Sequence, residues 1–168
     1  MMPFLKYLRR TTCAVLLLAA VLCAQEPLDL VHKRAPAFVR KDLTGRRISL
    51  KHYRGKVVLL NFWATWCAPC QVELPKFEEW QRNLGGQGLQ IVAVSMDDNA
   101  APVRRLVRGL RLDFPVVMGD ARLGDKYGGV LGLPVTYLID RDGKVVAKFK
   151  GETDLDVMEG EIQLTLHK

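Results

Sequence analysis

The chain has 168 residues, with 25 lysines and arginines against 18 aspartates and glutamates, a net charge of +7, and four cysteines. That length suits one domain with a real hydrophobic core. The basicity is mild and no basic patch is interleaved with aromatics, which excludes nucleic-acid binding as the reading, and there are no repeats or low-complexity tracts.

The first ten residues carry Lys6, Arg9 and Arg10, and Thr11 to Ala24 is an apolar run of 14 residues before Gln25-Glu26-Pro27. Spanning a bilayer takes about 20 apolar residues, so residues 1–24 read as a secretory signal peptide cut after the small residue Ala24. Leu22 suits that cut less well than alanine would. A lipoprotein cut before Cys23 would want a small residue where Leu22 stands, and an uncleaved anchor ranks third. Loss of the segment removes Lys6, Arg9 and Arg10 and lowers the charge from +7 to +4. It also removes Cys13 and Cys23, leaving Cys67 and Cys70 in an oxidising compartment, where a thiol pair is kept for work.

Residues 25–34 are polar and read as a flexible lead-in to a domain over residues 35–168. A hairpin opens the domain, with strands over Pro36 to Lys41 and Arg46 to Leu50 around the turn Asp42-Leu43-Thr44-Gly45. Val57 to Phe62 is apolar and rich in β-branched residues, the mark of an interior strand. The period then changes: Leu74, Phe77, Trp80 or Gln81, and Leu84 recur every three to four residues, predicting a helix from about Cys67 to Leu84. Gly85 to Gly88 turns the chain into a second buried strand, Leu89 to Met96. Strand, helix and strand imply a right-handed parallel crossover.

Ala101 to Leu112 is predicted as a helix with Val103, Leu106, Val107 and Leu110 inward. Arg104, Arg105, Arg108 and Arg111 then form either a solvated basic face or a docking face for an acidic partner or membrane. A short strand over Phe114 to Met118, a short helix over Ala121 to Tyr127 and a loop over Gly128 to Gly132 follow. Pro134 opens a strand, Val135 to Asp140, and Arg141 to Lys144 turns it into an antiparallel partner, Val145 to Lys150. The last helix runs from about Asp154 to Leu166 on a stripe of Leu155, Met158, Ile162 and Leu166.

Chemistry concentrates in Trp66-Cys67-Ala68-Pro69-Cys70. At a helix start the free N–H groups and the aligned peptide dipoles favour an anion. A thiol there falls from about 8.5 to roughly 7 or below, and the thiolate is the attacking species in disulfide exchange. Cys67 is therefore the exposed nucleophile, and Cys70, one turn in, resolves the mixed disulfide. Zinc wants four ligands, and the chain offers no second cysteine pair and only the scattered His32, His52 and His167. A purely structural bridge over so small a loop would stabilise little.

These residues, with Pro75 inside the helix and Leu133-Pro134-Val135-Thr136-Tyr137-Leu138-Ile139-Asp140 further on, resemble the thioredoxin superfamily. In particular the chain is similar, over about Ala35 to His167, to the TlpA/ResA-like thiol-disulfide oxidoreductases exported across bacterial membranes. The resemblance implies a thioredoxin-like three-layer α/β fold, a central mixed sheet flanked by helices, with an N-terminal β-hairpin. It implies a cis Pro134 beside the dithiol, a Leu133 backbone free to pair with an extended substrate, and a substrate surface that includes Trp66, Ala68 and Pro69. Asn61 stands where thioredoxin has a buried, proton-handling aspartate, and Glu73 matches a glutamate in the active-site cavity of the ResA-like proteins.

The expected function is reduction, or less readily oxidation, of disulfides in exported proteins, with apocytochrome c one substrate class implied by the resemblance. Electrons would come from a membrane thiol-disulfide donor, with no small cofactor or metal, and the protein would act as a periplasmic or extracytoplasmic monomer. Two other readings stand beside it. One is a thiol-specific peroxidase of the AhpC/TSA kind, with its antioxidant activity, although Cys67 is not embedded in a proline- and threonine-led peroxidatic loop. The other is a thiol-dependent metallochaperone.

Overall fold

The structure is a computed structural model that describes residues 29–130 and 132–168. The signal peptide read at residues 1–24 and the start of the lead-in, 25–28, lie outside the described residues.

Among the described residues, seven strands and four α-helices follow one another as β1 (Val39–Lys41), β2 (Arg47–Ser49), β3 (Val57–Trp63), α1 (Ala68–Leu84), β4 (Leu89–Ser95), α2 (Ala100–Leu110), β5 (Val116–Met118), α3 (Ala121–Lys126), β6 (Val135–Ile139), β7 (Val145–Lys150) and α4 (Leu155–Leu166). β1 and β2 form the expected hairpin, with Val39 opposite Ser49. The other five strands make a mixed sheet in the order β5-β4-β3-β6-β7, parallel from β3 to β5 and antiparallel through β6 and β7. β3 lies at the centre because it is apolar on both faces. Val57, Leu59 and Trp63 point into a cluster with Leu74, Phe77 and Trp80 of α1, Val103 of α2, and Met158 and Ile162 of α4. Val58, Leu60 and Phe62 point the other way, toward Leu123 of α3, Tyr127, and Phe38 and Ile48 of the hairpin. One alternating strand thus specifies a three-layer α/β fold, with α1, α2 and α4 on one face and α3 with the hairpin on the other.

Two details depart from the sequence reading. The predicted loose lead-in is tied down where it is described: His32 donates to the Val145 carbonyl at 2.8 Å, Val145 to that of Lys33 at 2.9 Å, and Leu30 is buried. A polar composition concealed a backbone that pairs with the start of β7. The second helix stops at Leu110 and not Leu112, because Arg111 turns left-handed (φ +54°) and Leu112 N–H closes back on the Val107 carbonyl at 3.1 Å.

Candidate active site

β3 delivers the chain to the site, and its end is pinned. The Met96 amide donates to the Trp63 carbonyl (2.8 Å) and that of Cys67 to the Ala64 carbonyl (3.2 Å). From the end of β4, the buried Asp97 carboxylate accepts from Thr65 N–H at 2.9 Å, from the Thr65 hydroxyl at 2.5 Å and from the Ser95 hydroxyl at 2.8 Å. Gln71 Nε2 donates to the Thr65 carbonyl at 2.6 Å from the first turns of α1. Asp97 was not among the expected residues: the sequence places it 30 residues after Cys67, in a turn where an acid is ordinary. Truncation of Asp97 to alanine should leave the Thr65 amide and the Ser95 hydroxyl without an acceptor, at a cost of about 1–3 kcal/mol. Urea unfolding with an unchanged slope and a lowered midpoint would show it; an unshifted midpoint would mean the turn holds itself.

Cys67 is the N-cap of α1, not its first helical residue. Pro69 lies in the first turn, where a missing N–H costs nothing. Cys67 and Cys70 form a disulfide with an S–S distance of 2.03 Å, and Cys67 Sγ accepts from Cys70 N–H at 3.3 Å. An N–H aimed at sulfur, at the positive end of a 17-residue helix, is the arrangement that stabilises a thiolate once the bridge opens. The expectation of an exposed Cys67 needs correction for this oxidised form, in which the residue is 4% exposed and Cys70 1%. The sulfur turns back over the helix start to meet its partner. The exposed groups here are instead Trp66 at 71% and Val72 at 70%.

The Leu133-Pro134 bond is cis. Val135 stands opposite Phe62 in the β3–β6 ladder, so the buried Pro134 falls at the sheet end from which Cys67 emerges, and the half-buried Leu133 packs against the cluster that contains both cysteines. Asn61 is buried opposite Thr136 and donates to its hydroxyl at 2.9 Å, while its Oδ1 has no partner among the described residues.

Glu73 is 4% exposed, and its Oε2 has no partner among the described residues. It lines a cleft of about 350 Å³ with Ala68, Pro69, Val72, Glu152, Thr153 and Leu155. Burial, and secondarily the Glu152 charge across the cleft, push its carboxyl up to about 7 from an ordinary 4.5. The structure thus gathers Ala68, Pro69 and Glu73 in one cleft. Trp66 and Leu133 are not among its lining residues. Glu152 is a further cleft residue that the sequence reading did not single out; only the packing of the β7–α4 loop against α1 reveals it. No group of three or more metal-binding side chains occurs among the described residues.

Comparison with known proteins gives a consistent picture. The AhpC/TSA family model matches residues 31–148. A thiol-disulfide oxidoreductase ResA of Bacillus thuringiensis is 40% identical over 129 residues, covering 77% of this chain and 75% of that protein. One from Geobacillus kaustophilus is 33% identical over 167 residues, covering 92% of each. Among solved structures, a thiol:disulfide interchange protein of the thioredoxin family from Chlorobium tepidum superposes with a TM-score of 0.74 at 26% identity, over 83% of this chain and 99% of that one. The thioredoxin domain of a thiol-disulfide oxidoreductase from Bacteroides vulgatus does so at 0.71 and 26% identity, over 80% and 99%.

Proposed function

This chain belongs to the thioredoxin-like AhpC/TSA family, and from that premise we propose that it is a thiol-disulfide oxidoreductase that reduces disulfides of exported proteins through Cys67 and Cys70. The observation that carries the reading is the Cys67–Cys70 bridge at a helix start, at the same sheet end as a cis proline.

In the reducing direction the Cys67 thiolate attacks one sulfur of the substrate disulfide. The substrate's other sulfur leaves as a thiolate, and a mixed disulfide joins Cys67 to the first. Cys70 then attacks Cys67 Sγ, which forms the bridge seen here and frees the substrate dithiol. Two electrons pass from protein to substrate. The Leu133 backbone beside Pro134 offers an edge for an extended substrate, and the exposed Trp66, with Ala68 and Pro69, supplies its apolar contact.

The purified domain from Gln25 onward should reduce insulin disulfides with dithiothreitol as electron source, at rates well above dithiothreitol alone. No acceleration would sink the reading. The family match also favours a second activity, thiol-dependent peroxide reduction. Turnover of a hydroperoxide with formation of the same bridge would establish it, and an inert protein would dismiss it.

The proposal places the protein outside the cytoplasm, as a monomer fed by a membrane thiol-disulfide donor, with apocytochrome c as one substrate class. Support comes from the basic and apolar start of the sequence and from the resemblance to exported proteins. Among the described residues no helix is long and apolar enough to cross a membrane. Mass spectrometry of the protein recovered from cells should find a chain that begins near Gln25. A lipid on Cys23, or an intact Met1 in the membrane fraction, would overturn the cleaved, soluble form.

A further inference from the structure

A disulfide reductase meets two partners at one sulfur: the substrate it reduces and the dithiol that reduces it. The ground beside the dithiol has two opposite characters. On one side lies the cleft with Glu73 and Glu152. On the other, Thr65, Pro102, Arg105, Leu106, Gly109 and Leu110 enclose a shallow groove of about 420 Å³ between α2 and the pinned turn before Cys67. Its walls are apolar except for Thr65 and Arg105.

The arginines of α2 are not equivalent. Arg104 donates to the Leu43 carbonyl of the hairpin turn. Arg40, Arg46 and Arg82 elsewhere are each paired with a carboxylate. Arg105 and Arg108 are exposed, and no ion pair or side-chain hydrogen bond engages them among the described residues. Asp97 behind Thr65 is taken up by Thr65 and Ser95, and Asp98 and Asp120 line a separate cleft. Gly109 leaves room in the groove, since a Cβ there would meet nothing within 4 Å.

Resting on the reductase reading above, we propose that this groove is the docking strip for an acidic, extended segment of the dithiol protein that reduces the Cys67–Cys70 bridge. The unpaired Arg105 in the groove, with the exposed Arg108 one turn along the same helix, complements a chain of acidic residues interspersed with small apolar ones, whereas the Glu73 and Glu152 cleft repels it. Trp66, exposed next to Cys67 in the chain, is available to both partners. In the step served, a partner thiolate attacks Cys67 Sγ and Cys70 leaves as a thiolate that takes up a proton. The partner's second thiolate then attacks its own mixed-disulfide sulfur and releases Cys67. The partner is oxidised by two electrons and the protein is reduced by two.

The test uses two synthetic dithiol peptides with one Cys-x-x-Cys core, flanked by aspartates in one and by lysines in the other. Reduction of the oxidised protein is followed by thiol alkylation, and each rate is divided by that with dithiothreitol on the same variant. At low salt the aspartate peptide should react about tenfold faster than the lysine peptide, with the advantage screened by added salt. The double substitution Arg105→Glu/Arg108→Glu should reverse the preference. Gly109→Leu, whose Cβ meets nothing within 4 Å and whose side chain occupies the groove, should abolish it. Equal rates for the two peptides, or a preference that survives charge reversal, would overturn the proposal. A preference seen only when the oxidised peptides are offered to the reduced protein would assign the groove to the substrate and overturn the partner named here. An aspartate preference in a protein that fails to reduce insulin would sink the reductase reading and leave the groove standing.

Discussion

Replacing Cys67 with serine should abolish insulin reduction and leave nothing captured, whereas Cys70→Ser should accumulate a covalent mixed disulfide with whatever Cys67 attacks. The expectation no longer rests on a large difference in exposure, because both residues are covered in the oxidised protein. It rests on electrostatics. Cys67 Sγ stands at the N-cap and accepts the Cys70 N–H, so charge is stabilised on Cys67, while Cys70 lies one turn inside the helix behind it. The sulfur that carries the charge attacks; the other opens the resulting bond. Removing the nucleophile removes the covalent route altogether, a loss of several orders of magnitude in rate. Removing the resolving thiol preserves attack and halts the cycle after one event. Single-variant trapping, read on non-reducing gels with mass spectrometry of the captured partner, decides it. Equal capture by both variants would show that the two sulfurs are interchangeable.

The parts of the fold that read well from sequence are those in which burial is local and periodic. The run Val57 to Phe62 announces an interior strand because side chains on both faces are apolar, and both faces are covered. The change of period after Cys70 locates α1 to within a residue of its bounds. What could not be read depends on residues far apart in the chain. The lead-in at Asp29 to Arg34 carries only Leu30 and Val31 as apolar side chains, yet Leu30 is buried in the core and the backbone is bonded to the β6–β7 turn and the start of β7, pairings that the sequence does not advertise. Glu78, inside the apolar stripe of α1, is buried with an ion pair to Arg82 and accepts from the Asp113 amide. Spacing alone marks such an acid as a flaw in the helix. Asp97 is legible only once β4 ends beside Thr65. At the site itself the Cys-x-x-Cys spacing sufficed for the chemistry, and resemblance was needed to single out Pro134 and Glu73.

Glu73→Gln should have the second large effect, and it separates two roles. The carboxyl sits three residues after Cys70 on the same side of α1, buried along one wall of the Ala68–Pro69 cleft. Burial, helped by Glu152, places its ionisation near 7, so near neutral pH it is poised both to give and to take a proton. Cys70 must lose a proton to resolve a mixed disulfide and must regain one when the bridge is reduced. Asn61, an amide that cannot titrate, stands where thioredoxin has its aspartate, so that exchange is expected to fall to Glu73. Glutamine keeps the shape and removes both the charge and the proton. Resolution should then slow about 10²-fold, much more than the initial attack, and at least one cysteine should titrate at lower pH once the neighbouring anion is gone. Stability should move in the opposite sense to activity. The unfolded carboxyl ionises near 4.5 and the folded one near 7, so its favourable contribution is complete below about 4.5 and is lost as pH rises through 7. Glu73→Gln should therefore gain in melting temperature relative to the parent above pH 7 and gain nothing in acid. Single-turnover kinetics, alkylation rate against pH and melting temperature against pH test the three parts. Unchanged resolution with unchanged cysteine titration would reduce Glu73 to a buried acid with no part in the chemistry.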